Sequence, residues 1–146
     1  MAKVNEIKHK NENPMQAAMA VIICPYDKVL ILKRPGDLHE DHHPNKWCLA
    51  GGGALIGETP VENVVREIAE ETGIELKPHM LNYLLNKREK DKEYYFFYVR
   101  TDQQPKIMNV LDEHEDFKWI RANEIDKYDM VKDTHNIIKM ALRDIM

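Results

Sequence analysis

Three glutamates define the chemistry that this sequence can do. Glu67, Glu70 and Glu71 lie within one short stretch, directly behind Arg66 and just ahead of Gly73. If the stretch is helical, at about 100° per residue the three carboxylates fall within an arc of roughly 100°. Val61, Val65, Ile68 and Thr72 fall on the other side. The reading is one stripe packed on a core and an opposite stripe of acids. Carboxylates this close repel one another. A hard divalent cation relieves that repulsion, and ligands of this type suit Mg²⁺ or Mn²⁺. The bland alternative is a solvated acidic face. What shifts the reading is register, because Gly51, Gly52 and Gly53 stand at a fixed distance before the acids. Glycines let backbone approach a metal or a phosphate where a side chain would block it.

The elements that must position these acids are well marked. Thr59-Pro60-Val61-Glu62 combines an N-cap threonine, a proline at the first helical position and a glutamate at the third. Gly73 supplies the left-handed cap at the far end of the helix. Upstream, Ala17 to Cys24 is a near-continuous apolar run, the pattern of a strand buried on both faces. Val29 to Leu32 reads as a second strand, and Trp47 to Ala50 as a short one running into the glycines. Leu81 to Arg88 and Glu93 to Arg100 read as an antiparallel hairpin, and Phe117 to Ile120 as a further strand. Ile137, Ile138, Ala141, Leu142 and Ile145 share one face of a C-terminal helix that covers the sheet. Residues 1–14 read as a polar leader and 15–146 as one domain, with mixed strands and two principal helices.

The segment GGALIGETPVENVVREIAEETGI resembles the Nudix box: glycine, five residues, glutamate, seven residues, then Arg-Glu-aliphatic-any-Glu-Glu-any-Gly-aliphatic. Here these elements are Gly52, Glu58, Arg66, Glu67, Ile68, Glu70, Glu71, Gly73 and Ile74, and every specified position matches over 23 residues. The chain is identified as a member of the Nudix hydrolase family, MutT-like in kind. The box is the specific part, and the flanking strands and the Glu-rich segment ending in Trp119 are similar to the family's. Two positions depart from common family usage, Ala50 before the glycines and Val64-Val65 in the helix, and neither is a specified position.

The resemblance implies an α/β fold, an α/β/α sandwich with a mixed sheet between helices. It implies hydrolysis of a diphosphate bond in a nucleoside diphosphate linked to another group. Carried over by position, Glu67, Glu70 and Glu71, with the carbonyl near Gly52, would hold Mg²⁺ or Mn²⁺. Arg66 would orient a glutamate of the cluster, and Glu58 would support that network. Glu67 is the first choice for the base that takes the proton of the attacking water. The family's base can also come from a loop outside the box, which makes Glu113 and Glu115, in LDEHEDFKWI, the alternatives. A non-catalytic nucleotide sensor on the same fold is the competing reading, and such modules usually carry substitutions among the box glutamates. An isoprenoid diphosphate isomerase would need a reactive cysteine, and Cys48 is the one near the box. The resemblance also allows a homodimer.

Composition narrows the partners. With 21 Lys and Arg against 25 Asp and Glu, the net charge of −4 argues against a stable nucleic-acid partner and against decapping. Cys24 and Cys48 lie in apolar stretches and read as buried thiols. No apolar run is long enough to cross a bilayer, so no membrane partner is expected and a cytoplasmic place is the default. Lys33 and Arg34 end the second strand where phosphates would come. Tyr94 to Tyr98 sends aromatic rings to both faces of a strand, one of them a candidate border for a base. His39, Glu40, Asp41, His42 and His43 form a polar loop placed to help choose substrates, and they read as solvated surface before they read as a metal site.

Overall fold

A computed structural model describes residues 11–37, 43–108 and 113–145. The long apolar run becomes β1 (Glu12–Cys24), the axis of a seven-stranded sheet. β2 (Lys28–Lys33), β3 (Trp47–Cys48), β4 (Ala50–Leu55), β5 (Asn82–Glu89), β6 (Lys92–Arg100) and β7 (Asp116–Ile120) complete it. β6 lies parallel to β1 along one side, from Gln16↔Glu93 to Ile23↔Arg100. The other side of β1 is shared, with β4 antiparallel along Glu12 to Ala20 and β2 antiparallel at Ile23 and Cys24. β2 also pairs with β3 and β7, and β5 pairs with β6 as the expected hairpin. The sheet is mixed.

One helix covers each face. α1 (Pro60–Thr72) packs through Val64 and Ile68 on Ala18, Ala20, Ile22, Leu30 and Leu32. α2 (Thr134–Asp144) packs through Ile137, Ile138 and Ala141 on Val21, Ile23, Val29 and Ile31. Successive residues of β1 and β2 therefore feed opposite cores, which is why both strands read as unbroken apolar runs. The expected α/β/α sandwich is the observed architecture. Among the described residues no helix is long and apolar enough to cross a membrane.

Two expectations about the strands shift. β1 begins at Glu12 rather than at Ala17, because Glu12 and Asn13 pair with Leu55 and Ala54 of β4 beyond an irregularity in register. These residues are polar and only half-buried, so no apolar pattern announced them. The glycines also do not follow a strand: they lie inside β4, where Gly53, Gly52 and Gly51 face Ala17, Ala18 and Met19. Glycine within a strand marks a close backbone approach, and β4 uses that freedom for the site described next.

Candidate active site

The start of α1 forms as the sequence suggests. The Thr59 hydroxyl accepts from the Glu62 N–H at 3.2 Å, and the Glu62 carboxylate accepts from the Thr59 N–H at 2.9 Å. At the far end Gly73 takes φ 78° and donates its N–H to Ala69 O. These caps fix the rotation of α1 and, with it, the direction of the acids.

That direction differs from the expected one. Glu67 and Glu71 do not oppose the apolar stripe; they are buried with Val64 and Ile68 on the face packed against the sheet. Glu67 is 1% exposed and Glu71 4%, while Glu70 turns outward. Val61 and Val65, assigned to the core, are only half-buried at its margin. The cause lies across the interface, in β4. A Cβ at Gly52 would stand 2.9 Å from the Glu67 carboxylate, so only glycine leaves the acid room. Gly51 has φ 140°, a conformation that suits glycine, and donates its N–H to Glu71 Oε1 at 2.7 Å.

Arg66 ties the acids together. Its Nε and Nη2 donate to the two oxygens of Glu58 at 2.6 and 3.0 Å, a bidentate pair. Nη1 donates to Glu67 Oε1 at 3.2 Å and to both oxygens of Glu70 at 3.1 Å, and Nη2 also reaches Gly53 O at 2.9 Å. Burial opposes the charge on Arg66, but the hydrogen bonds and fields of Glu58, Glu67 and Glu70 outweigh it and raise its pKa. Glu58 is held in turn by the Leu55 N–H at 2.7 Å. The sequence reading missed Asn63, which is fully buried and donates to Gly52 O and Gly53 O at 3.1 and 3.2 Å. Gln16 reaches Asn63 Oδ1 at 3.3 Å and Glu58 O at 3.2 Å. One signal was present: Asn63 stands one helical turn before Glu67, on the same face. The Gly52 carbonyl has two lone pairs, and Asn63 uses one.

The two glutamates outside the box part company. Glu115 pairs with Lys33 at 3.4 Å on the exposed margin of the sheet. Glu113 joins Glu71 and His114 in a group whose ligand atoms lie within 4.8 Å of one another. His114 is the second residue that sequence reasoning missed, although it sits between those two glutamates. It is 5% exposed, with Nε2 3.6 Å from Glu71 Oε2 and 3.9 Å from Cys48 Sγ. Burial, reinforced by the charge of Arg34, pulls its pKa down to about 4, so at neutral pH the contact with Glu71 is not an ion pair. Burial and the charge of Glu71, opposed by Arg34, push the Cys48 thiol up to about 12, which keeps it protonated.

A cavity of about 630 Å³ opens beside this cluster, and Gly51, Gly52, Gly53 and His114 form part of its wall. Its outer wall carries Arg34, Lys87, Lys92 and Lys132, with Tyr94 and Phe96 on one face of β6. The Lys92 ammonium stands 5.4 Å from the Tyr94 ring centre. Phe97, one residue on, packs in the opposite core. Of the basic pair at the end of β2, Arg34 lines the cavity and Lys33 is on Glu115. His43 also lines it, while His39, Glu40, Asp41 and His42 lie outside the described residues.

The NUDIX domain family model matches residues 14–141. This chain belongs to the Nudix hydrolase family. The curated nucleoside triphosphatase NudI of Salmonella arizonae is 27% identical over 136 residues, covering 82% of this chain and 94% of the relative. NudI of Shigella sonnei is 25% identical over 133 residues, with the same coverage. Among solved structures, MutT from Methanosarcina mazei Go1 superposes with a TM-score of 0.67 at 21% identity, covering 90% of this chain and 94% of that one. The NUDIX domain of Shewanella oneidensis NrtR, complexed with ADP ribose, superposes with a TM-score of 0.73 at 17% identity over the whole of both chains. At these identities the superpositions speak for the fold. The Nudix box thus occupies the end of β4, the turn after it and the whole of α1.

Proposed function

We propose that this Nudix hydrolase cleaves a diphosphate bond in a nucleoside diphosphate derivative, using divalent metal held by Glu67, Glu70, Glu71 and the Gly52 carbonyl. The observation that carries the reading is the burial of Glu67 and Glu71 against glycines that also wall the cavity. Buried carboxylates are kept where they are paired or ligate a metal. The donors fit Mg²⁺ or Mn²⁺, because all are hard oxygens. When bound, such an ion neutralises diphosphate charge and makes water a better nucleophile.

The chain's own residues do the rest. Arg66 holds Glu67 and Glu70 in fixed positions, and Glu58 holds Arg66. Glu67 accepts the proton of the water that attacks phosphorus. Glu113, beside Glu71, is the alternative base, and Glu115, drawn off by Lys33, is the weaker one. The nucleoside part occupies the cavity, whose volume suits such a ligand. There Arg34 and Lys92 meet phosphates, Lys87 and Lys132 being paired with Asp133 and Glu89, and Tyr94 and Phe96 border the base.

The name of the NudI relatives makes nucleoside triphosphates the first substrates to try, with ADP-ribose second. The test is a hydrolysis panel with Mg²⁺ or Mn²⁺, products resolved, comparing the wild type with Glu67→Gln. Release of a nucleoside monophosphate, lost by about 10²-fold or more in the variant, is the expected result. Binding of nucleotides with no cleavage by the wild type under either metal would replace this reading with a sensor.

A further inference from the structure

The Glu71–Glu113–His114 group does something that the box glutamates alone do not. It offers a nitrogen donor. His114 is buried; among the described residues its Nε2 makes only the long contacts to Glu71, at 3.6 Å, and to Cys48, and its Nδ1, on the other side of the ring, has no partner. Buried polar groups are nearly always hydrogen-bonded, and an exception calls for an explanation. For Nε2, held too far from Glu71 Oε2 to hydrogen-bond, one candidate is an ion shared by the two groups. Bonds of about 2.0–2.2 Å to imidazole nitrogen and carboxylate oxygen place two ligands of one ion about 3 to 4 Å apart. The 3.6 Å between His114 Nε2 and Glu71 Oε2 lies in that window, and Glu113 completes a compact triad. Of the triad, His114 also walls the cavity beside the glycines.

We propose that Glu71, Glu113 and His114 form a mixed nitrogen and oxygen metal position that binds a first-row transition ion, such as Mn²⁺ or Co²⁺, in preference to Mg²⁺. The proposal rests on the reading that this site uses divalent metal, and it names the part of the site that selects which one. Mg²⁺ favours carboxylate, carbonyl and water, whereas imidazole strengthens binding of transition ions. The Cys48 thiol, next to His114, is a neighbour and not a ligand.

The test uses the full chain and metal alone. Wild-type protein is loaded with Mn²⁺, and pulsed electron paramagnetic resonance is used to look for ¹⁴N coupling from a bound imidazole. Coupling is expected in the wild type, lost in His114→Gln, and retained in Cys48→Ala and His43→Gln. Titration should show that His114→Gln weakens Mn²⁺ or Co²⁺ binding by about tenfold or more and Mg²⁺ binding by less than about twofold. Absence of ¹⁴N coupling in the wild type overturns the proposal, whatever the variants do, and leaves a bridging water as the partner of His114. Coupling that persists in a folded His114→Gln overturns it too, as does an equal loss for Mn²⁺ and Mg²⁺. Should His114→Gln not fold, Glu113→Gln serves: it should weaken Mn²⁺ while keeping the ¹⁴N coupling, and unchanged Mn²⁺ affinity would overturn the triad. These readouts need no turnover. An active enzyme without the coupling sinks the nitrogen site alone, and a bound nitrogen-ligated ion without hydrolysis sinks the proposed function alone.

Discussion

α1 and α2 cover opposite faces of one sheet and are similar in length, 13 and 11 residues. α2 buries Ile137, Ile138 and Ala141, with Thr134 at its start. α1 buries Val64 and Ile68 but adds Asn63, Glu67, Glu71 and Thr72. Burying an apolar side chain of that size contributes about 1.5–3 kcal/mol. Burying a carboxylate costs several kcal/mol unless partners offset it. On α1 the partners are the Gly51 N–H for Glu71 and Arg66 for Glu67. So the α2 face holds the sheet together, while the α1 face gives up some of that stability to keep charge in a fixed place. A stable fold tolerates one such face because the other is ordinary.

The largest effect that would sharpen this contrast is on the apolar side. Ile138→Ala removes a fully buried side chain and should cost about 3 to 4 kcal/mol by urea unfolding. Its kcat, per folded molecule, should stay within about twofold; a large fall in kcat would mean that α2 also shapes the site. Gly52→Ala is the reverse case. The added Cβ displaces the Glu67 carboxylate, and a misplacement of that order costs about 10²-fold in kcat, or roughly 2.7 kcal/mol on the barrier. Gly53→Ala is the matched control, since a Cβ there meets nothing within 4 Å. Equal losses at the two glycines would show that Gly52 is not there to make room.

The sequence read differently on the two sides for the same physical reason. α2 obeys the apolar pattern: Ile137, Ile138 and Ala141 are buried as expected, Leu142 and Ile145 are half-buried at the margin, and only Thr134 among its buried residues was not announced. The box told where the acids are but not which way they point. A pattern rule sends charge outward, and Glu67 and Glu71 break it because β4 offers bare backbone opposite them. That compensation lies 15 or more residues away in sequence and only pairing within the sheet brings it close. Asn63 and His114 escaped for a related reason, since each is polar, buried and explained by contacts from another element. Glu113 and Glu115 were indistinguishable in sequence, being two residues apart on one acidic segment. They separate in space because β7 pairs with β2 up to Asp116↔Lys33, which puts Glu115 next to Lys33 and leaves Glu113 beyond the strand.

Charge pairs allow a third comparison, of middling size. Arg66→Lys keeps the charge but cannot span Glu58, Glu67, Glu70 and Gly53 O with one ammonium. Loss of hydrogen bonds to charged groups should cost about 2 kcal/mol of stability, and kcat should fall with it as Glu67 loses its anchor. On the α2 side Lys139 pairs with Asp126 at 3.1 Å, largely in solvent. Lys139→Ala should cost less than about 1 kcal/mol and leave kcat alone. If the two substitutions destabilise equally, the Arg66 network is an ordinary surface cluster and not a positioning device.

The helix starts give the smallest contrast. Thr59 closes a capping box on α1, and Thr59→Ala should cost about 1 kcal/mol. Asp133 occupies the same place on α2 at φ 69° and makes no side-chain cap. Asp133→Gly would relieve the left-handed backbone but lose the ion pair with Lys87. Those are two small opposing effects, and the net change should stay within about 0.5 kcal/mol. Urea midpoints for both variants decide it. A loss at Asp133 as large as that at Thr59 would mean that α2 also depends on a precise start. The expected asymmetry would mean that only the helix aiming carboxylates needs its rotation fixed, because apolar packing tolerates a few degrees of roll that a buried, hydrogen-bonded carboxylate does not.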